Sequence, residues 1–158
     1  MTKFKVLVCG NLAEDGLAVF RSADNIELDV KPELKEAELI ECIAPYHGLV
    51  VRSDTKPTAK VIEAADNLKI IGRAGTGVDN IDAAAATKRG IVVMNTPGGN
   101  TVTTCEHAFA LMMALARNVP QGTSSLKSGR WERKKLTGVE LYDKTLGIIG
   151  MGRIGGNV

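Results

Sequence analysis

The chain has 158 residues, 44% of them apolar and 24% charged, with a formal net charge of +2. That length holds one ordinary domain, or one domain and the start of another. A charge so near balance argues against nucleic-acid or acidic-membrane partners, and the longest apolar run, Ala108 to Ala116, falls well short of the roughly 20 residues a bilayer demands. Three widely spaced cysteines, Cys9, Cys42 and Cys105, form no C-x-x-C pair and point to reduced thiols in a cytoplasmic protein.

In chain order, "FKVLVCG", "GLVVRS" and "GIVVMN" are continuous β-branched runs bounded by polar residues or glycine. Such runs predict strands covered on both faces, as in a parallel sheet, and "IELDV" and "LKIIG" are shorter examples. Helical patterns lie between them, over residues 13–22, 33–43, 58–65 and 81–88. Pro57 opens the third, and Asp79-Asn80 reads as the cap of the fourth, which ends before Gly90. Strand alternating with helix predicts an α/β domain with right-handed crossovers.

The pattern changes at "NTPGGN", a turn segment. The longest predicted helix follows over residues 101–117, with Asn100 or Thr101 as N-cap; its apolar all-round stretch predicts burial. A shorter helix is expected over residues 121–127, closed by Gly129, then a charged segment around "RWERKK". "TLGIIG" is the last predicted strand. His47 and His107 have no metal-ligand partners at useful spacing.

That strand runs into Gly150, Gly152 and Gly155, spaced G-x-G-x-x-G. In a dinucleotide-binding turn the first glycine permits the tight bend and the second lets the backbone approach the pyrophosphate. The third allows close packing of the next helix, whose first-turn N–H groups receive the phosphates. Half of the required context is present, a predicted strand before the motif. No acidic residue stands about 20 positions further on to hold a ribose.

With "VRSDTKPT", "GRAGTGVDNID", "GIVVMNTPGGNT" and "KTLGIIGMGRIG" in view, the sequence resembles the D-isomer-specific 2-hydroxyacid dehydrogenases from Phe4 to Gly155. The resemblance implies a flavodoxin-like, parallel-sheet substrate domain over residues 1–98. It also implies the start of a Rossmann coenzyme domain over residues 99–158, truncated after the glycine motif. The catalytic arginine, glutamate and histidine of the family are expected beyond Val158, so this chain is expected to be an inactive N-terminal part. NAD is the implied cofactor, with an incomplete site. The implied substrate is 3-phosphoglycerate or a related 2-hydroxy acid, and the full-length protein is expected to be a homo-oligomer.

Matched residue by residue, the substrate contacts implied are Arg52, Ser53, Arg73, Gly75, Asn100 and Arg133. The implied cofactor contacts are Thr76, Gly150, Gly152, Arg153, Ile154 and Gly155. Arg52 also reads as an ordinary surface arginine, and Asn100 equally as a cap. Arg133 equally fits a solvated charge run. Gly75 and Gly77 read as turn glycines needing positive φ, compatible with the substrate role. A glyoxylate or hydroxypyruvate reductase, or a co-repressor-like binding module on the same fold, are the competing readings.

Overall fold

The computed structural model describes residues 3–158, which form two compact units, 3–97 and 98–158. In the first unit five strands alternate with four helices: β1 (Phe4–Cys9), α1 (Glu14–Arg21), β2 (Ile26–Lys31), α2 (Glu36–Cys42), β3 (Gly48–Val51), α3 (Ala59–Ala64), β4 (Ile70–Arg73), α4 (Ala83–Lys88) and β5 (Val92–Asn95). All pairings are parallel and the strand order is β2-β1-β3-β4-β5. This is the flavodoxin-like order, whose connections reverse direction between β1 and β3. All five expected strands of this unit form, including those from "IELDV" and "LKIIG".

Alternation decides what is buried. Leu7, Cys9, Leu49, Val51 and Ile71 share one sheet face and are 0–1% exposed, packed with Leu39 of α2, Ile43 just after it, and Val61 and Ile62 of α3. Each such aliphatic side chain contributes about 1.5–3 kcal/mol by leaving water. The opposite face is less covered than the sequence pattern predicts. An apolar groove of about 380 Å³ runs there past Phe4, Phe20, Val50 and Ile70, and Val92 and Met94 are 54% exposed. The continuous runs signal apolar residues on both faces, and helices α2 to α4 pack on just one of them.

Two helix starts differ from expectation. Helix α2 begins at Glu36 rather than Glu33, with the Lys35 N–H donating to Glu38 Oε2 at 2.8 Å. Helix α4 is capped by Asp82, whose Oδ1 accepts the Ala85 N–H at 2.9 Å, and not by Asp79-Asn80. Those two side chains are engaged elsewhere, as described below.

The second unit holds α5 (Thr101–Ala116), α6 (Val119–Lys127) and a 3-10 turn over Arg133–Leu136. Gly129 at φ +73 closes α6, as expected. Within this unit Cys105 is the one buried residue of α5, and Leu111 and Leu115 are 57% and 77% exposed; the burial expected of this helix is between domains or subunits, which this unit by itself does not provide. A helix apolar on every side needs neighbours on every side, and α6 covers one. "TLGIIG" forms no strand either; Ile149 is fully exposed. A strand is stabilised by its ladder, and no other strand forms within this unit to pair with it.

Candidate functional site

In open parallel sheets, ligands bind beyond the carboxyl ends of the strands, at the point where strand order reverses. Here that point lies between β1 and β3. A polar cleft of about 450 Å³ opens there, lined by Gly10, Asn11, Pro32, Glu33, Arg52 and Asp54. Gly10 leaves β1 at φ +92, a left-handed conformation that glycine adopts without steric cost. Arg52 follows the last residue of β3, and its Nη1 donates to the Asn11 carbonyl at 3.2 Å. The Ser53 hydroxyl beside it lies 3.4 Å from Asp54 Oδ1.

Arg73 ends β4, the strand next to β3, and is the register partner of Val51. Its side chain is 11% exposed, its Nη1 donates to Asp79 Oδ1 at 2.5 Å, and its Nε is buried with no hydrogen-bond partner. The guanidinium holds the Asp79 carboxyl below the usual carboxylate range, chiefly through this hydrogen bond.

Gly75 and Gly77 do not adopt positive φ, contrary to the sequence reading. Gly77 is needed for space instead. A Cβ there would lie 2.7 Å from Asp79 Oδ1 and 2.9 Å from Arg73 Nη1. The Gly75 N–H donates to the Arg73 carbonyl, and the Gly75 carbonyl accepts the Thr96 N–H, both at 2.9 Å.

Residues outside the sequence-derived set hold this edge together. Asn80 Nδ2 donates to the carbonyls of Arg52 (2.8 Å) and Thr55 (2.6 Å), bracing the loop after β3. Asn95 Nδ2 donates to the Thr76 carbonyl at 2.6 Å. Asn95 lies in the quoted "GIVVMNTPGGNT" stretch, the one signal that marked it. Asp79 and Asn80 were visible as polar residues before a helix, and the cap rule claimed them first. Arg52, Ser53, Arg73, Gly75 and Thr76 thus stand on the carboxyl edge of one sheet, where two guanidinium groups of a kind suited to carboxylate or phosphate lie among the carboxylates of Glu33, Asp54 and Asp79.

The remaining candidates belong to the second unit. Asn100 is at the N-cap position of α5, its carbonyl accepting the Thr104 N–H at 2.9 Å. Arg133 is exposed in the 3-10 turn. Beside it Glu132 accepts Lys135 Nζ at 2.8 Å and Ser125 Oγ at 3.2 Å; the Lys135 hydrogen bond is the main cause holding its carboxyl below the usual range. Gly150 takes φ +96, the tight bend the motif demands. A Cβ at Gly152 would meet nothing within 4 Å, so the backbone is open to an approaching group. At Gly155 a Cβ would fall 1.9 Å from the Gly150 carbonyl oxygen, so its close approach is to the loop's own start rather than to a sheet. Arg153 and Ile154 form a single turn, their carbonyls accepting Asn157 Nδ2 at 2.6 Å and the Asn157 N–H at 2.8 Å.

The catalytic-domain family of the D-isomer specific 2-hydroxyacid dehydrogenases matches residues 6–137. The chain belongs to this family. It is 56% identical over 151 residues to the D-3-phosphoglycerate dehydrogenase of Archaeoglobus fulgidus, covering 96% of this chain and 28% of that enzyme. Among solved structures of similar fold, a Thermus thermophilus protein superposes with a TM-score of 0.86 at 35% identity, over 97% of this chain and 50% of its own. The NAD+-bound 3-phosphoglycerate dehydrogenase of Entamoeba histolytica gives 0.75 at 34% identity, over 99% and 49%. The chain spans a little over a quarter of the length of the curated relatives it matches. Among the described residues, no helix is long and apolar enough to cross a membrane.

Proposed function

We propose that this chain supplies the substrate-binding unit and the pyrophosphate turn of an NAD-dependent D-3-phosphoglycerate dehydrogenase. Residues 1–98 form the substrate part, and residues 99–158 begin the coenzyme part. The observation that carries the reading is the pair of guanidinium groups at the carboxyl edge of the sheet, Arg52 and Arg73, at the ends of adjacent strands. The likeness to D-3-phosphoglycerate dehydrogenases at about half identity supports it.

NAD, when bound, accepts the hydride that leaves C2 of the hydroxy acid. The residues present fit its phosphate end: Gly150 makes the bend, and the open backbone at Gly152 with the turn through Arg153, Ile154 and Gly155 faces the phosphates. Arg52, Ser53, Arg73 and the Gly75 backbone orient the acid, and Thr76 is assigned to the cofactor. Asn100 and Arg133 are further substrate contacts. None of these residues is assigned the family's acid/base role, so the part proposed for them is to bind and orient the acid. The complete enzyme is a cytoplasmic homo-oligomer that meets neither nucleic acid nor membrane.

Calorimetric titration of the chain with 3-phosphoglycerate tests the reading. Saturable binding is expected, lost on Arg52→Gln or Arg73→Gln, with no NADH formed on adding NAD. Tight NAD binding is not expected: one anchoring region of three leaves a Kd on the order of millimolar, about −4 kcal/mol. Binding of 3-phosphoglycerate that ignores both arginines overturns the proposal.

A further inference from the structure

We propose that Asp79 is the built-in counter-ion of Arg73 and weakens the hold of this sheet edge on anions. The inference rests on the reading of Arg73 as an anion ligand and adds what regulates its strength. Three observations carry it. Arg73 is a mostly buried cation, with its Nε shut off from solvent and unpartnered. An incoming anion therefore meets the terminal nitrogens, and Nη1 there already donates to Asp79 Oδ1 at 2.5 Å. Asp79 itself is 84% exposed, so its carboxylate lies on the solvent side of the mostly buried guanidinium.

The third observation concerns Gly77, whose backbone lies against the pair. A Cβ at this position would crowd both Asp79 Oδ1 and Arg73 Nη1, and the backbone φ there is not one that calls for glycine. A side chain at position 77 would have to displace the ends of both partners, so the glycine leaves the ion pair its present geometry. Asp79 does not cap α4, since Asp82 does so; its carboxylate is held chiefly by Arg73, with a hydrogen bond from its own backbone N–H as a lesser contact. A carboxylate in this place does two things to an anionic ligand. It occupies one of the guanidinium's donors, and it repels the ligand's charge. Two unit charges about 6 Å apart in a water-like dielectric repel by an amount that changes affinity roughly threefold. A ligand carrying both carboxylate and phosphate feels the effect more strongly than a monoanion.

The experiment is calorimetric titration of the full chain with D-3-phosphoglycerate in low salt, comparing wild type, Asp79→Asn, Asp79→Ser and Arg73→Gln. Both neutral residues at position 79 are expected to tighten binding roughly threefold or more. The gain should fade in high salt, where screening shortens the reach of an exposed charge. Damage to the fold does not tighten a ligand, so the sign separates this role from a structural one. Arg73→Gln is expected to abolish binding. If Arg73→Gln abolishes binding while both position-79 variants bind equally or more weakly, the counter-ion inference falls and Arg73 stands as an anion ligand. Binding that survives Arg73→Gln overturns both.

Discussion

The two units of this chain use apolar sequence in opposite ways. In residues 3–97 the β-branched runs pair side by side and present alternate side chains to α2, α3 and α4, so that Leu7, Leu49, Val51 and Ile71 are almost wholly removed from water. In residues 98–158 the most apolar segment, α5, leaves Phe109, Leu111, Met113 and Leu115 at 39–77% exposure, and Cys105 and Ser125 are the buried residues. Apolar content does not make a core. A core forms where a second apolar surface meets the first, and a sheet with three helices on one face provides it.

The sharpest way to break this contrast is to truncate matched leucines. Leu7→Ala, in the first unit, is expected to cost about 2–5 kcal/mol, the transfer term plus a cavity. Leu111→Ala, on the exposed flank of α5, should change stability by less than about 0.5 kcal/mol. Urea unfolding of the two variants checks both; equal losses would mean that α5 is packed.

A second effect comes from Cys9 at the end of β1. Burial, with Cys42 nearby as a lesser cause, pushes its thiol from 9.0 up to about 12. Between those values the unfolded chain has lost the proton that the folded chain keeps. Stability is therefore complete below pH 9 and falls as pH rises toward 12, with a slope approaching 1.4 kcal/mol per pH unit, about the value for one proton. Unfolding curves across this range should flatten in Cys9→Ala by that one-proton slope. An unchanged slope would show the thiol to be accessible.

The smallest expected effect sharpens the site itself. Asn80→Ala removes two hydrogen bonds to the carbonyls of Arg52 and Thr55. A cost of about 1–2 kcal/mol follows, with faster amide exchange confined to residues 52–55. Exchange that stays unchanged there would mean that the loop is held by other contacts.

Much of the site was legible because its chemistry lies in short stretches. Arg52, Arg73, Gly75 and the three terminal glycines stand in "VRSDTKPT", "GRAGTGVDNID" and "GMGRIG", and Gly150 has the positive φ its place in the motif requires. Asp79 and Asn80 were misread because capping is a local rule, satisfied by any short polar side chain ahead of a helix. Which of Asp79, Asn80 and Asp82 caps α4 depended on which carboxylate a guanidinium from β4 had already engaged. Asn95 carried no local sign of its bond to Thr76, because the two meet across 19 positions of chain.

The sequence by itself determined the five strands of the first unit and their parallel character, since continuous β-branched runs separated by helical patterns admit few other arrangements. It determined the glycine bend at 150 for the same kind of reason, backbone conformation being a property of single residues. Tertiary structure alone decided the order β2-β1-β3-β4-β5, the half-open sheet face, the exposure of α5 and the failure of "TLGIIG" to become a strand. Each of these depends on a partner surface elsewhere in space. Local propensity names what a segment is able to form, and pairing and burial against a neighbour decide whether it does.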